Sequence, residues 1–185
     1  MQKIDTIFVR DETKAGHPVT PECRASCLWV FEGEGRATIK VDGTNVKVEA
    51  GRLYKRQKPT SGAYDAASYV PCDRTDPADR WAFEAFEFLI MSEAPPRDGI
   101  YELCGPKVQG NPSRLARHEL IRVVPPLDEL EVPEDHFFRT WDGLREFLAR
   151  SVYEGLVFHH LDGRMGKIKR RDYGLPWPMP WPVPQ

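Results

Sequence analysis

The chain has 185 residues and a formal net charge of −2, with 41% hydrophobic and 11% aromatic residues. That is enough apolar material for one substantial core, and too short a chain for two independent domains of ordinary size. A balance this close to neutral exerts no whole-molecule pull on nucleic acid or an anionic membrane, so any phosphate-binding function must rest on local clusters of Lys and Arg. The cysteines Cys23, Cys27, Cys72 and Cys104 form no double CxxC pattern. No His or Cys pair at metal spacing completes them, so reduced thiols are expected and a zinc site is not. Nowhere does the chain offer the roughly 18 apolar residues of a membrane span, and the N-terminal MQKIDTIFVRDETK is mixed and charged; the reading is a soluble, intracellular, cytoplasmic protein.

In chain order, residues 4–9 are a short apolar alternation of edge-strand type, followed by a polar loop through Gly16, His17, Pro18 and Pro21. Residues 37–57 alternate apolar and polar through Ala37, Ile39, Val41, Val46, Val48 and Leu53. With reversals expected at Asp42-Gly43 and Ala50-Gly51, the spacing predicts a three-strand meander. Lys40 then stands at a strand end directly before the turn. Two readings are open for it: a solvated lysine protecting a strand edge, or an amine held at the rim of a sheet and freed as a nucleophile. Residues 58–79, with Pro59, Gly62, Pro71 and Pro77, read as a turn-rich surface insertion. A helix is predicted over 77–91, with Trp81, Ala85, Phe88 and Leu89 on the core face and Glu84 and Glu87 away from it. Pro95-Pro96 ends that element.

In residues 99–112, Glu102 sits among apolar Ile100, Leu103 and Val108, and the following Gly105 and Gly110 suggest a backbone shaped for close approach. A strand is read over 115–124, carrying His118 as a structural or solvated residue, with Arg114, Arg117 and Arg122 nearby. Trp141, Leu144, Phe147 and Leu148 predict a second helix over 140–150. Residues 154–174 read as a strand, an Asp162-Gly163 turn and a return strand that places Lys167, Lys169 and Arg171 on one face. That face is either a solvated basic edge or what a triphosphate or nucleic-acid backbone requires. His159-His160 is not a metal pair, because adjacent strand residues point to opposite faces. The terminal LPWPMPWPVPQ is an extended tail packed by Trp177 and Trp181, or a disordered one.

Together these pieces resemble a family. Lys40-Val41-Asp42-Gly43 matches the KxDG motif of covalent nucleotidyltransferases, and Thr44-Asn45 extends it to the KxxGTN form of RNA ligases. Tyr54-Lys55-Arg56 looks like the following arginine-bearing motif, Tyr101 to Gly105 like the YGE-type acidic motif, Glu154-Gly155-Leu156-Val157 like EGxV, and Lys167-Ile168-Lys169 like KxK. The resemblance spans about residues 35–178 and is nearest to ATP-dependent 5′-3′ RNA ligases similar to the vertebrate RNA ligase. It implies an α+β fold built on antiparallel sheet, an ATP-grasp-like ligase adenylylation domain. One compact domain over 1–175 is expected, without a separate OB domain, followed by a proline-rich tail over 176–185.

The resemblance also implies roles. Lys40 attacks the α-phosphorus of ATP, and Lys167 and Lys169 hold phosphate oxygens and help keep Lys40 deprotonated. Glu102 binds ribose, Arg56 contacts ribose or phosphate, and Asn45 lies by the α-phosphate. Glu154 supports a divalent metal, Mg²⁺ or Mn²⁺, and the lysine, while Asp42 shapes the nucleophile's turn. The expected substrates are ATP and RNA with 5′-phosphate and 3′-hydroxyl ends. The stretch HELIRV holds no match to the aromatic that the family stacks on adenine. Because only a proline-rich stretch follows KxK, a minimal ligase and a subunit needing a protein partner both stay open. The alternatives are a DNA ligase, a guanylyltransferase-like enzyme, or a non-catalytic nucleotide- or RNA-binding module.

Overall fold

A computed structural model of the chain describes residues 4–57, 68–92, 96–124 and 130–179. The fold is α+β with mostly antiparallel sheet, and the chain divides into two compact units. One unit comprises Ile4–Lys40 and Asp128–Gln185, the other Val41–Leu127. In chain order the first contributes β1 (Asp5–Thr6), β2 (Phe8–Arg10), β3 (Val19–Cys23), α1 (Leu28–Phe31) and β4 (Arg36–Lys40). The second follows with β5 (Thr44–Glu49), β6 (Arg52–Arg56), β7 (Tyr69–Pro71), α2 (Arg80–Met91), β8 (Gly99–Cys104) and β9 (Glu119–Arg122). The chain then returns to the first unit with α3 (Trp141–Arg150), β10 (Gly155–His159) and β11 (Met165–Lys169). Among the described residues no helix is long and apolar enough to cross a membrane.

In the first unit a four-stranded sheet runs β1-β11-β10-β4, antiparallel except for the short parallel pair of β1 with β11. Alternation sends Ala37, Leu156, Phe158 and Ile168 to one face, where all four are fully buried against Leu144 and Leu148 of α3 and against Ile7 and Val30. Each fully buried Leu, Ile, Val or Phe among them contributes about 1.5–3 kcal/mol of transfer free energy. The helix begins where Thr140 Oγ1 accepts the Gly143 N–H at 3.1 Å, satisfying one of the donors a helix start leaves over. Its span is the one the apolar spacing predicts. An aromatic group of Phe8, Phe31, Trp141 and Tyr173 closes the core, with ring centroids 4.9–6.2 Å apart. After β11 the chain makes a 3₁₀ turn over Arg170–Tyr173, ended by Gly174 at φ 72°.

The second unit is a five-stranded antiparallel sheet in the order β7-β6-β5-β8-β9. Val46, Val48, Leu53, Tyr101, Leu103 and Leu120 form its inner face and bury Ala82, Ala85 and Phe86 of α2. The helix face matches the predicted one at Trp81, Ala85 and Leu89, which all pack on this core, while Phe88 is exposed; Trp81 also stacks on His118 with centroids 4.4 Å apart. At the helix start, Lys55 Nζ of β6 reaches Asp76 Oδ2 at 2.9 Å and Asp79 Oδ2 at 2.8 Å, tying the sheet to the first turn.

The three-strand meander predicted over 37–57 does not form. The hairpin of β5 and β6 is present, its central residues Ala50 and Gly51 both left-handed at φ 49° and 70°, as a type I′ turn needs. β4 pairs instead with β10, Lys40 standing opposite Gly155, so Asp42-Gly43 is no hairpin turn. Gly43 serves close approach: a Cβ there would meet Leu103 O at 2.5 Å and Cys104 Sγ at 2.9 Å.

Candidate functional site

Two groups of predicted site residues emerge, one in each unit. In the first unit the central strand is β10. Gly155 stands opposite Lys40 on one side and opposite Lys169 on the other. Val157 stands opposite Thr38 and Lys167, and Lys167 in turn beside Thr6. Opposed residues share a face and so do residues two apart, so Lys40, Lys167 and Lys169 lie on the face away from the core. Gly155 leaves bare backbone between Lys40 and Lys169. A Cβ at that position would collide with Ile168 O and lie 2.9 Å from Lys169 Cα, so only glycine lets β10 and β11 close to this distance.

Glu154 precedes β10 and is buried, and its Oε2 lies 2.5 Å from Lys40 Nζ. The Lys40 side chain retains 23% of its exposure and that of Glu154 10%, so the pair is largely withdrawn from water, where its attraction is screened less than at a surface. Glu154 is held from behind, its carbonyl accepting the Arg170 N–H at 2.8 Å. Burial pushes the Lys167 amine down to about 8, and the Lys169 and Lys40 charges on the same face push it the same way. The end of β11 is fixed by Asp172, 2% exposed, whose Oδ2 accepts the Lys169 N–H at 2.8 Å while Oδ1 accepts Arg10 Nη2 at 2.5 Å.

In the second unit Asn45 of β5 stands opposite Glu102 of β8, and Arg56 of β6 stands opposite Tyr69 of β7. These residues alternate with Val46, Leu53, Tyr101 and Leu103 of the buried face, and so lie on the other one. Asn45 Nδ2 donates to Glu102 Oε1 at 3.1 Å, and Tyr69 Oη donates to Asn45 Oδ1 at 2.6 Å. Burial raises the Tyr69 phenol; Arg56 lowers it and Glu102 raises it. Sequence reasoning missed Tyr69, because it lies within the stretch 58–79 read as a turn-rich surface insertion and belongs to none of the five motifs; β7 (Tyr69–Pro71) forms there instead. The part of that stretch over 58–67 lies outside the described residues.

The basic residues do not form one cluster. Arg170 is 2% exposed and structural: it donates to the carbonyls of Leu148, Ser151 and Pro176. Arg171 does not continue the face of Lys167 and Lys169 but sits in the 3₁₀ turn and donates to Trp177 O at 2.8 Å. Those two bonds hold the start of the proline-rich segment; Trp181 lies outside the described residues. Arg117 covers the Phe88 ring at 3.9 Å and pairs with Glu119 at 3.2 Å. His118 is structural, its Nδ1 2.9 Å from Glu84 Oε1 and its Nε2 accepting the Lys107 N–H. A cavity of about 580 Å³ lined by Phe137, Phe138, Phe147, Arg150 and Tyr153, among others, lies in the first unit; none of the predicted site residues lines it.

The chain matches no protein-family profile and no curated protein sequence. An RNA ligase from Naegleria gruberi, a mutant solved with ATP and Mn, is a structural neighbour at 16% identity and a TM-score of 0.39. The match covers 91% of this chain and 59% of that ligase, so this chain spans about three-fifths of the neighbour's length.

Proposed function

We propose that the protein is an ATP-dependent RNA ligase of the covalent nucleotidyltransferase kind, similar to the 5′-3′ RNA ligases, acting through lysyl-AMP. The observation that carries the reading is the Lys40–Glu154 pair at 2.5 Å, on a sheet face that also bears Lys167 and Lys169. A solvated edge lysine has no need of a buried carboxylate partner.

In this reading Lys40 Nζ attacks the α-phosphorus of ATP. The N–P bond forms, the bond to the bridging oxygen breaks, and pyrophosphate leaves with its electron pair. The proton lost by Nζ has a carboxylate 2.5 Å away to receive it. An oxygen of an RNA 5′-phosphate then displaces lysine from the adenylate, and a 3′-hydroxyl displaces AMP. Each step is an in-line phosphoryl transfer that needs charge neutralisation at non-bridging oxygens and exact placement more than acid-base power; Lys167 and Lys169 supply the charge. Glu102 and Arg56 take the ribose and Asn45 the α-phosphate side.

Among the described residues no three His, Cys, Asp or Glu side chains cluster to hold a metal. Glu154 is the residue that would hold Mg²⁺ or Mn²⁺, a hard ion suited to a carboxylate together with phosphate and water oxygens. Such an ion supplies charge neutralisation at the phosphates.

Incubation with α-labelled ATP or GTP and a divalent metal, followed by denaturation, tests the proposal. Label from ATP retained on protein is expected. Label from GTP alone would make the protein a guanylyltransferase, and no label would leave a binding module. Sealing of a 5′-phosphate, 3′-hydroxyl RNA break, with markedly poorer sealing of the all-DNA equivalent, is the further expectation, since a 2′-hydroxyl near the break distinguishes the two.

A further inference from the structure

Tyr69 reaches Asn45 across an intervening strand. It lies on β7, Asn45 on β5, and β6 runs between them. Two strand spacings amount to roughly 9.5 Å, a span that a tyrosine leaning over the sheet toward an asparagine can bridge. At that reach the phenol Oη stands 2.6 Å from Asn45 Oδ1, and the ring passes over β6 beside Arg56, its own cross-strand neighbour.

The bond settles which way the amide faces. Glu102 presents an acceptor to one side of Asn45 and Tyr69 presents a donor to the other. With Oδ1 toward the phenol and Nδ2 toward the carboxylate both contacts are satisfied. The flipped amide would set Oδ1 against Glu102 Oε1, two acceptors with no proton between them. Among the described residues, removing the phenolic hydroxyl leaves the amide its Glu102 contact, about which it can rotate.

We propose that Tyr69 is the positioning residue of the second unit's polar row, holding the Asn45 amide and through it the Glu102 carboxylate in the arrangement that receives the nucleotide. The proposal rests on the nucleotide-binding reading of Asn45 and Glu102 given above. It predicts that Tyr69 acts on nucleotide through Asn45 and not by supporting the sheet in general.

A double-mutant cycle on ATP binding by the full chain separates these roles, using wild type, Tyr69→Phe, Asn45→Ala and the double variant. Tyr69→Phe is expected to weaken ATP binding about fivefold, the effect of losing one ordinary neutral hydrogen bond. In the Asn45→Ala background the same change is expected to do nothing. Additive effects, or equal losses in both backgrounds, would overturn the proposal. The side-chain amide resonances of Asn45 provide a readout that needs no nucleotide: they are expected to shift in Tyr69→Phe while core methyl signals stay in place. Unmoved amide resonances would overturn the hydrogen-bond role itself. If wild type fails to bind ATP, the nucleotide reading falls and the receiving role with it, and the amide resonances alone decide whether Tyr69 positions Asn45.

Discussion

Lys40 Nζ and Glu154 Oε2 lie 2.5 Å apart although 114 residues separate them in the chain. The contact exists because β4 pairs with β10, with Lys40 opposite Gly155, the residue after Glu154. Two motifs far apart in sequence are thereby joined on one sheet, and the consequences can be measured.

The residue between the lysines is the most sensitive to size. A Cβ on Gly155 would collide with Ile168 O and lie 2.9 Å from Lys169 Cα, both main-chain atoms of the neighbouring strand that cannot swing away. Gly155→Ala is therefore expected to cost about 1–3 kcal/mol of stability, the range for overpacking a well-packed site. It should also lower covalent labelling by ATP, because β11 carries Lys167 and Lys169. Urea denaturation checks the first part; an unchanged midpoint would mean that the strands do not pack as described.

Lys167→Ala and Lys169→Ala should each slow adenylylation by roughly 10²–10³-fold, the cost of losing one preorganised charge contact in a transition state. Single-turnover labelling rates measure this. Near-normal rates in both variants would return β11 to a solvated basic edge.

The Lys167 amine sits at about 8 in the fold, against 10.5 for the free side chain, because of burial and the charges of Lys169 and Lys40; Asp172 and Glu154 act in the opposite sense. Between those values the unfolded chain binds more protons than the folded one, so this group makes stability rise with pH across that window. Below about pH 8 both states are protonated and the penalty of the withdrawn charge is fully present. Lys167→Met should therefore gain most over wild type at pH 7, with the gap narrowing toward pH 10. Denaturation midpoints at pH 7, 8, 9 and 10 test the sign, and a gap that widened with pH would contradict it.

Arg170 and Arg171 are neighbours with opposite fates. Arg170, 2% exposed, satisfies the carbonyls of Leu148, Ser151 and Pro176, whereas Arg171 is exposed and bonds Trp177 O. Arg170→Ala should cost about 2–4 kcal/mol by leaving a void and taking a charged donor from the carbonyls of Leu148, Ser151 and Pro176, and Arg171→Ala less than about 1 kcal/mol. Equal thermal shifts in the two variants would be inconsistent with this division.

The strand positions of the candidate residues were legible because each motif lies within a few residues of one strand. Lys167 and Lys169 were placed on one face by the period of a strand alone, and α3 by its apolar spacing. Non-local pairing was not legible. Asp42-Gly43 carries the local signature of a hairpin, and nothing within ten residues reveals that the partner of β4 is β10 or that Gly43 is needed for close approach to Leu103. On α2 the helical period found Trp81, Ala85 and Leu89 but misplaced Phe88, which is exposed under Arg117, a partner from the approach to β9 that a local period does not reveal. Tyr69 meets Asn45 through a single hydroxyl across the intervening β6, which leaves no periodic trace.

The central claim is that Lys40 is the nucleophile, and the most direct measurement is the site of the adenylate. Protein incubated with ATP and Mg²⁺ or Mn²⁺, denatured and digested, should yield by mass spectrometry a peptide carrying one AMP on Lys40, and Lys40→Ala, still folded by circular dichroism, should carry none. An adenylate on another residue, or label persisting in folded Lys40→Ala, would contradict it.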